Sequence, residues 1–240
     1  MSTQPEPDPR GAVARTKLSR TQRVVAQRMV DSRASVPEFA LTVTVAMDAA
    51  MEWLREAKAQ AGERPAPSVN DLVIRASALA LREQPLANGA YADGVVESFE
   101  RVNVGFAVAA PGTLLVPTLF DADALSIWET AAQTRELARR ARERELTPAE
   151  MTGATFTVSN LGMLGIEHFT AVINSPQAAI LSVGAVRAAA VVRDDALAIG
   201  RVATLTLNCD HRVLYGADGA ELLAGIRRRL EAPAELAGAA

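Results

Sequence analysis

The amino-acid sequence predicts an α/β or α+β domain with a largely mixed sheet, and three observations carry that expectation. The 240 residues are 49% hydrophobic, enough for one large domain or two small ones with a sizeable core. Some stretches alternate apolar with smaller or polar residues, the period of a strand, whereas others repeat their apolar residues at helical spacing. The two kinds are mixed along the chain, which favours helices packed on a sheet.

Taken in order, residues 1–17 combine prolines and charges without apolar periodicity and are expected to form a flexible tail. Over 18–34, Val24, Val25 and Met29 fall near one helical face among arginines and glutamines, which predicts an amphipathic helix. Pro37 requires an extended residue before it. Phe39, Leu41, Val43, Val45 and Met47 then read as a half-buried strand. Asp48 is expected to cap a helix through 61, which Gly62, Pro65 and Pro67 end. Ser68 and Asp71 have the spacing of a capping box before a helix over 72–82.

The period then changes. Asp93-Gly94, between Tyr91 and Val95-Val96, reads as a hairpin turn. Strands are expected over 102–109 and 114–120, joined at Pro111-Gly112. A long helix follows over 124–144; its arginines are balanced by Glu129, Glu136, Glu143 and Glu145, so it reads as a solvated face. Further strands are expected over 155–159, 169–173 and 178–186, then two runs around Asp194-Asp195. The last ends at Leu205-Thr206-Leu207 and leads into Asp210-His211-Arg212. Gly216 and Gly219 open a final helix carrying Leu222, Leu223, Ile226 and Leu230.

Composition narrows the function. A net charge of −3 with 22% charged residues points to neither nucleic acid nor a membrane surface as partner. The single cysteine, Cys209, excludes an internal disulfide framework, and with only two histidines no metal site is expected. The first residues lack the apolar core of a signal peptide, and no apolar run approaches the roughly 20 residues of a spanning helix, so a cytoplasmic protein is expected. Gly162-Met163-Leu164-Gly165 is not a nucleotide motif.

Two segments carry chemistry. His211 sits at the end of a strand, flanked by charge and followed by glycines, where a rigid scaffold can present a general base. The same position also suits a histidine satisfied by its neighbours. Ser159, after a strand and before a small loop with Asn160, can donate to an oxyanion or cap a turn. His168 reads as a surface or packing residue, Cys209 as a small buried side chain, and Trp53 and Trp128 as helix packing.

The segments SRTQRVVAQRM, VNVGFAVAAPGTLLVPTLFDAD, LTPAEMTGATFTVSNLGMLGIEHFTAVINSPQAAILSVG and CDHRVLYGADGAELL, in this order, resemble the catalytic domain of the dihydrolipoamide acyltransferases, the E2 components of 2-oxoacid dehydrogenase complexes. The resemblance covers 18–236 and leaves 237–240 as a short tail. It implies a two-layer fold shared with chloramphenicol acetyltransferase, and a homotrimer with a coenzyme A tunnel between subunits. It also implies His211 as catalytic base and Ser159 as oxyanion donor, meeting across a subunit interface, with coenzyme A or acetyl-CoA as co-substrate and no acyl-serine. Residues binding coenzyme A are not assigned. Asp210 is expected to orient backbone beside the base or to be purely structural.

The sequence departs from that family at three places. The family motif reads His, Arg, two variable residues, Asp, Gly, and here Tyr215 stands at the aspartate, leaving Arg23 or Arg28 as candidates for the arginine it would pair. The chain contains no lipoyl-lysine hairpin or second small domain. Its C-terminus offers Leu236 alone as a large apolar residue after Pro233, which predicts a trimer rather than a larger cage. From these departures the first expectation is acyl-CoA-dependent O-acetylation of a small-molecule hydroxyl, such as a hydroxymethyl tetronate. The alternative is acyl transfer between dihydrolipoamide and coenzyme A in a 2-oxoacid dehydrogenase complex. A third reading is an inactive trimeric scaffold.

Overall fold

A computed structural model describes residues 11–237. Of the expected tail, 1–10 lie outside the described residues, and 11–19 form neither helix nor strand. Residues 238–240 also lie outside. The elements are α1 (Arg20–Ser35), β1 (Glu38–Ala46), α2 (Asp48–Gln60), α3 (Val69–Glu83), β2 (Gly89–Ala92), β3 (Val95–Ser98), β4 (Val104–Phe106), β5 (Val108–Ala110), β6 (Thr113–Leu115) and β7 (Thr118–Leu119). Then come α4 (Ile127–Glu143), β8 (Phe156–Asn160), β9 (Ala179–Val183), β10 (Arg187–Arg193), β11 (Ala196–Asp210), α5 (Gly216–Glu231) and the short α6 (Ala234–Ala237).

The fold is α/β with a mixed seven-stranded sheet, ordered β1-β11-β9-β8-β4-β7, with β10 also pairing β11. β11 is the spine. It runs antiparallel to β1, β9 and β10, whereas β8 pairs in parallel with both β9 and β4. One face of this sheet is apolar: Val45, Leu205, Leu207, Cys209, Leu181, Val183, Phe156 and Val158 form one core with residues of α3 and α5. Burying such side chains contributes about 1.5–3 kcal/mol each. The opposite face carries Thr42, Thr206, Ser182 and Ser159 in register, because successive side chains alternate across a strand. At one end α1 reaches this face, where Ser32 donates to the Ile173 carbonyl at 2.7 Å and Val36, Ile173 and Ile180 pack together.

Several local expectations hold for local reasons. Ser68 and Asp71 form the capping box of α3, and Asp93-Gly94 turns β2 into β3 with positive φ at both residues. Arg139 pairs with Glu136, Glu143 and Glu145 along α4, as a solvated face requires. Others are corrected. Asp48 is the first residue of α2, not its cap; its carboxylate accepts from Arg201 N at 3.0 Å and pairs with Arg193. The helix expected from 124 begins at Ile127, where Ser126 and Glu129 form a capping box. The strands over 102–109 and 114–120 each divide. β4 and β7 stay in the main sheet, while β5 and β6 leave it as a hairpin around Gly112, and Pro117 has no N–H to continue a ladder. Residues 169–173 form no strand, because Ile173 is anchored on the sheet face rather than at its edge. Among the described residues no helix is long and apolar enough to cross a membrane. Leu236 is fully buried in the chain's own core.

Candidate active site

β11 delivers Asp210 and His211 to one end of the sheet. Asp210 is 1% exposed, and its carboxylate accepts from three Arg212 donors: the backbone N (2.9 Å), Nε (3.0 and 3.2 Å) and Nη2 (2.7 Å). This charge-assisted clamp raises the Arg212 pKa, with the Asp210 hydrogen bond as the main cause, and fixes the turn that holds His211. The Arg212 guanidinium also lies over the Tyr91 ring, 4.3 Å from its centroid. The Asp210 carboxylate thus holds the Arg212 backbone N–H, one residue beyond the histidine.

His211 itself is exposed, and its backbone N donates to the Pro37 carbonyl at 2.9 Å. Its imidazole sits between two aromatic rings. Phe39 lies at a centroid distance of 4.8 Å, tilted 55°, and Tyr215 at 5.6 Å, edge-on at 76°. Tyr215 precedes α5; its backbone N donates to Asp218 Oδ2 at 2.8 Å, and the phenol takes no part in the cap. Arg23 donates to the Leu18 carbonyl at 3.0 Å, so its contact is with its own helix start. Beneath the site, Cys209 is buried and burial pushes its thiol pKa up to about 12, which removes it as a nucleophile at neutral pH.

Ser159 lies elsewhere on the sheet. It is half-buried near the end of β8, opposite Ser182 of β9. Asn160 holds the following loop: its Oδ1 accepts from Gly162 N at 2.8 Å and its Nδ2 donates to Asn70 at 3.2 Å. Asn160 thus shapes the loop after β8. Ser159 pairs with Ser182, Ser182 with Thr206, and His211 lies five residues beyond Thr206. At about 3.3 Å per residue and about 4.8 Å per strand spacing, Ser159 and His211 of one chain are roughly 16 Å apart along the strands and roughly 10 Å across them. An oxyanion donor must lie within about 3 Å of the reacting carbonyl oxygen and the base within hydrogen-bond reach of the thiol that attacks it, so the two groups must stand only a few ångströms apart. One chain alone does not bring them together.

Of the remaining sequence candidates, His168 is exposed, Trp53 packs against the core and Trp128 lies under Arg64 at 4.2 Å. Sequence reasoning missed Phe39 as a wall of the histidine and the ion-paired role of Arg212. An Asp-X-Arg spacing at a strand end was the available signal for the second; nothing in the sequence pointed to the first.

The family model described as 2-oxoacid dehydrogenases acyltransferase (catalytic domain) matches residues 10–237. The dihydrolipoyllysine-residue acetyltransferase component of the pyruvate dehydrogenase complex of Rhizobium meliloti is 41% identical over 217 residues, which cover 88% of this chain and 48% of the relative. The chain spans about half the length of the curated relatives it matches. Among solved structures, the dihydrolipoamide acetyltransferase of Azotobacter vinelandii was studied for the role of a serine, a histidine and an asparagine in its catalytic mechanism. It superposes with a TM-score of 0.92 at 28% identity, covering 98% of this chain and 99% of that one. The cubic core of a pyruvate dehydrogenase multienzyme complex gives 0.91 at 29% identity with the same coverage. Chloramphenicol acetyltransferase, at 0.53 and 17% identity over 86% of this chain and 92% of that one, shares the fold.

Proposed function

Since the chain belongs to the 2-oxoacid dehydrogenase acyltransferase (catalytic domain) family, we propose that it transfers an acetyl group between coenzyme A and dihydrolipoamide, with His211 as general base and Ser159 as oxyanion donor. The observation that carries the assignment is a spacing. The serine and histidine studied in the Azotobacter enzyme are 52 positions apart, as are Ser159 and His211 here. The asparagine studied there follows its histidine by four, where this chain has Tyr215.

In this reading His211 takes the proton of the attacking thiol, and the thiolate adds to the thioester carbonyl. Ser159 donates to the tetrahedral oxyanion, an interaction worth about 3 kcal/mol. Collapse expels the second thiol, which leaves with the proton that His211 returns. Because one chain holds the two residues far apart, the site is proposed to form between copies, His211 from one and Ser159 from its neighbour. A homotrimer satisfies this with three equivalent sites.

The relatives favour a thiol acceptor over the small-molecule hydroxyl that the sequence departures put first. Tyr215 is the one observation that keeps O-acetylation of a hydroxyl such as that of a hydroxymethyl tetronate as a second reading. Incubation with acetyl-CoA and free dihydrolipoamide is expected to release coenzyme A and form the acetyl thioester. His211→Ala should lower kcat by orders of magnitude and Ser159→Ala by about 100-fold or more. Failure to acetylate dihydrolipoamide, together with turnover of a hydroxylated acceptor, would replace the first reading with the second.

A further inference from the structure

We infer that Ser182 is a positioning residue for Ser159: its hydroxyl, unpaired in this structure, rotates to donate to Ser159 Oγ when the acyl group is bound and so turns the Ser159 hydrogen toward the acyl oxyanion. The inference deepens the assignment of Ser159 made above and rests on it. Ser182 of β9 stands directly beside Ser159 of β8 in a parallel pair, so both side chains leave the same face of the sheet. Neighbouring strands lie about 4.8 Å apart, a gap that two seryl hydroxyls close by rotation about χ1.

The state of the Ser182 hydroxyl sets it apart. The residue is 2% exposed, and its Oγ is sealed from solvent without a hydrogen-bond partner. Buried hydroxyls are normally satisfied, because an unmade hydrogen bond leaves the full desolvation cost standing. Two hydroxyls flank it in the row. On one side Thr206 lies 3.0 Å, Oγ1 to Oγ1, from Thr42, an interaction that uses one of its hydrogen-bonding positions. On the other side is the half-buried Ser159. A hydroxyl has one hydrogen and two lone pairs, so Ser159 can accept from Ser182 while it donates to an oxyanion. Accepting that bond both polarises the Ser159 O–H and disfavours rotamers that point it elsewhere.

Removing an unpaired buried hydroxyl should leave the fold intact, so the test separates function from stability. Ser182→Ala is expected to keep or raise Tm, leave KM for acetyl-CoA unchanged and lower kcat about tenfold. The double variant Ser159→Ala/Ser182→Ala should be no slower than Ser159→Ala alone, since Ser182 acts through Ser159. Wild-type kcat in Ser182→Ala, losses that multiply in the double variant, or a marked fall in Tm would each overturn the inference. Wild-type kcat in Ser159→Ala would instead remove Ser159 from the mechanism, which is a separate failure.

Discussion

The imidazole of His211 is held by rings rather than by a carboxylate. Phe39 and Tyr215 flank it, and the Asp210–Arg212 clamp fixes the turn beneath. Since the Tyr215 phenol takes no part in the α5 cap, the ring is what this residue contributes. Tyr215→Phe is therefore expected to cost less than about tenfold in kcat/KM. A loss as deep as that of His211→Ala, measured in the same assay, would show the phenol acting directly on substrate. At this scale the strand-end position of His211 was legible in the sequence, while the roles proposed for it and for Ser159 rest on the resemblance. Phe39 and Ser182 were not legible, because each gains its role from a neighbour set by strand register and not by adjacent sequence.

Among the elements, β8 and β9 carry Ser159 and Ser182, and the loops after them are fixed by two glycines. A Cβ on Gly184 would lie 1.9 Å from the Glu167 carbonyl oxygen, and one on Gly162 would lie 2.8 Å from the Gly184 carbonyl oxygen. Backbone therefore passes backbone at both positions. Gly184→Ala should destabilise by about 1–3 kcal/mol, read as a lower Tm, and should lower activity through the Ser159 loop. An unchanged Tm would mean that the 166–168 segment gives way freely. Elements with local signals were readable from sequence, as the Ser68–Asp71 box and the Asp93-Gly94 turn show. The β5–β6 hairpin and the absence of a strand over 169–173 were not, because both depend on what the segment meets across the molecule.

For the whole molecule, the sheet order β1-β11-β9-β8-β4-β7 determines the mechanism's geometry. It joins strands distant in sequence, so fold class was legible whereas strand order was not. That order sends β11 to one end with His211 and β8 to the other with Ser159, so the mechanism proposed above needs a neighbouring copy to complete the site. Leu236, the one large apolar residue that the C-terminus was expected to retain, packs in its own core. The central claim is the shared site, and subunit complementation tests it most directly. His211→Ala and Ser159→Ala chains, each inactive alone, would be coexpressed with different tags and purified as mixed oligomers. Each mixed trimer then has one of its three sites with a wild-type His211 facing a wild-type Ser159, so about a third of wild-type kcat should return. Mixed oligomers no more active than either variant alone would place both residues in one chain's site and contradict the account.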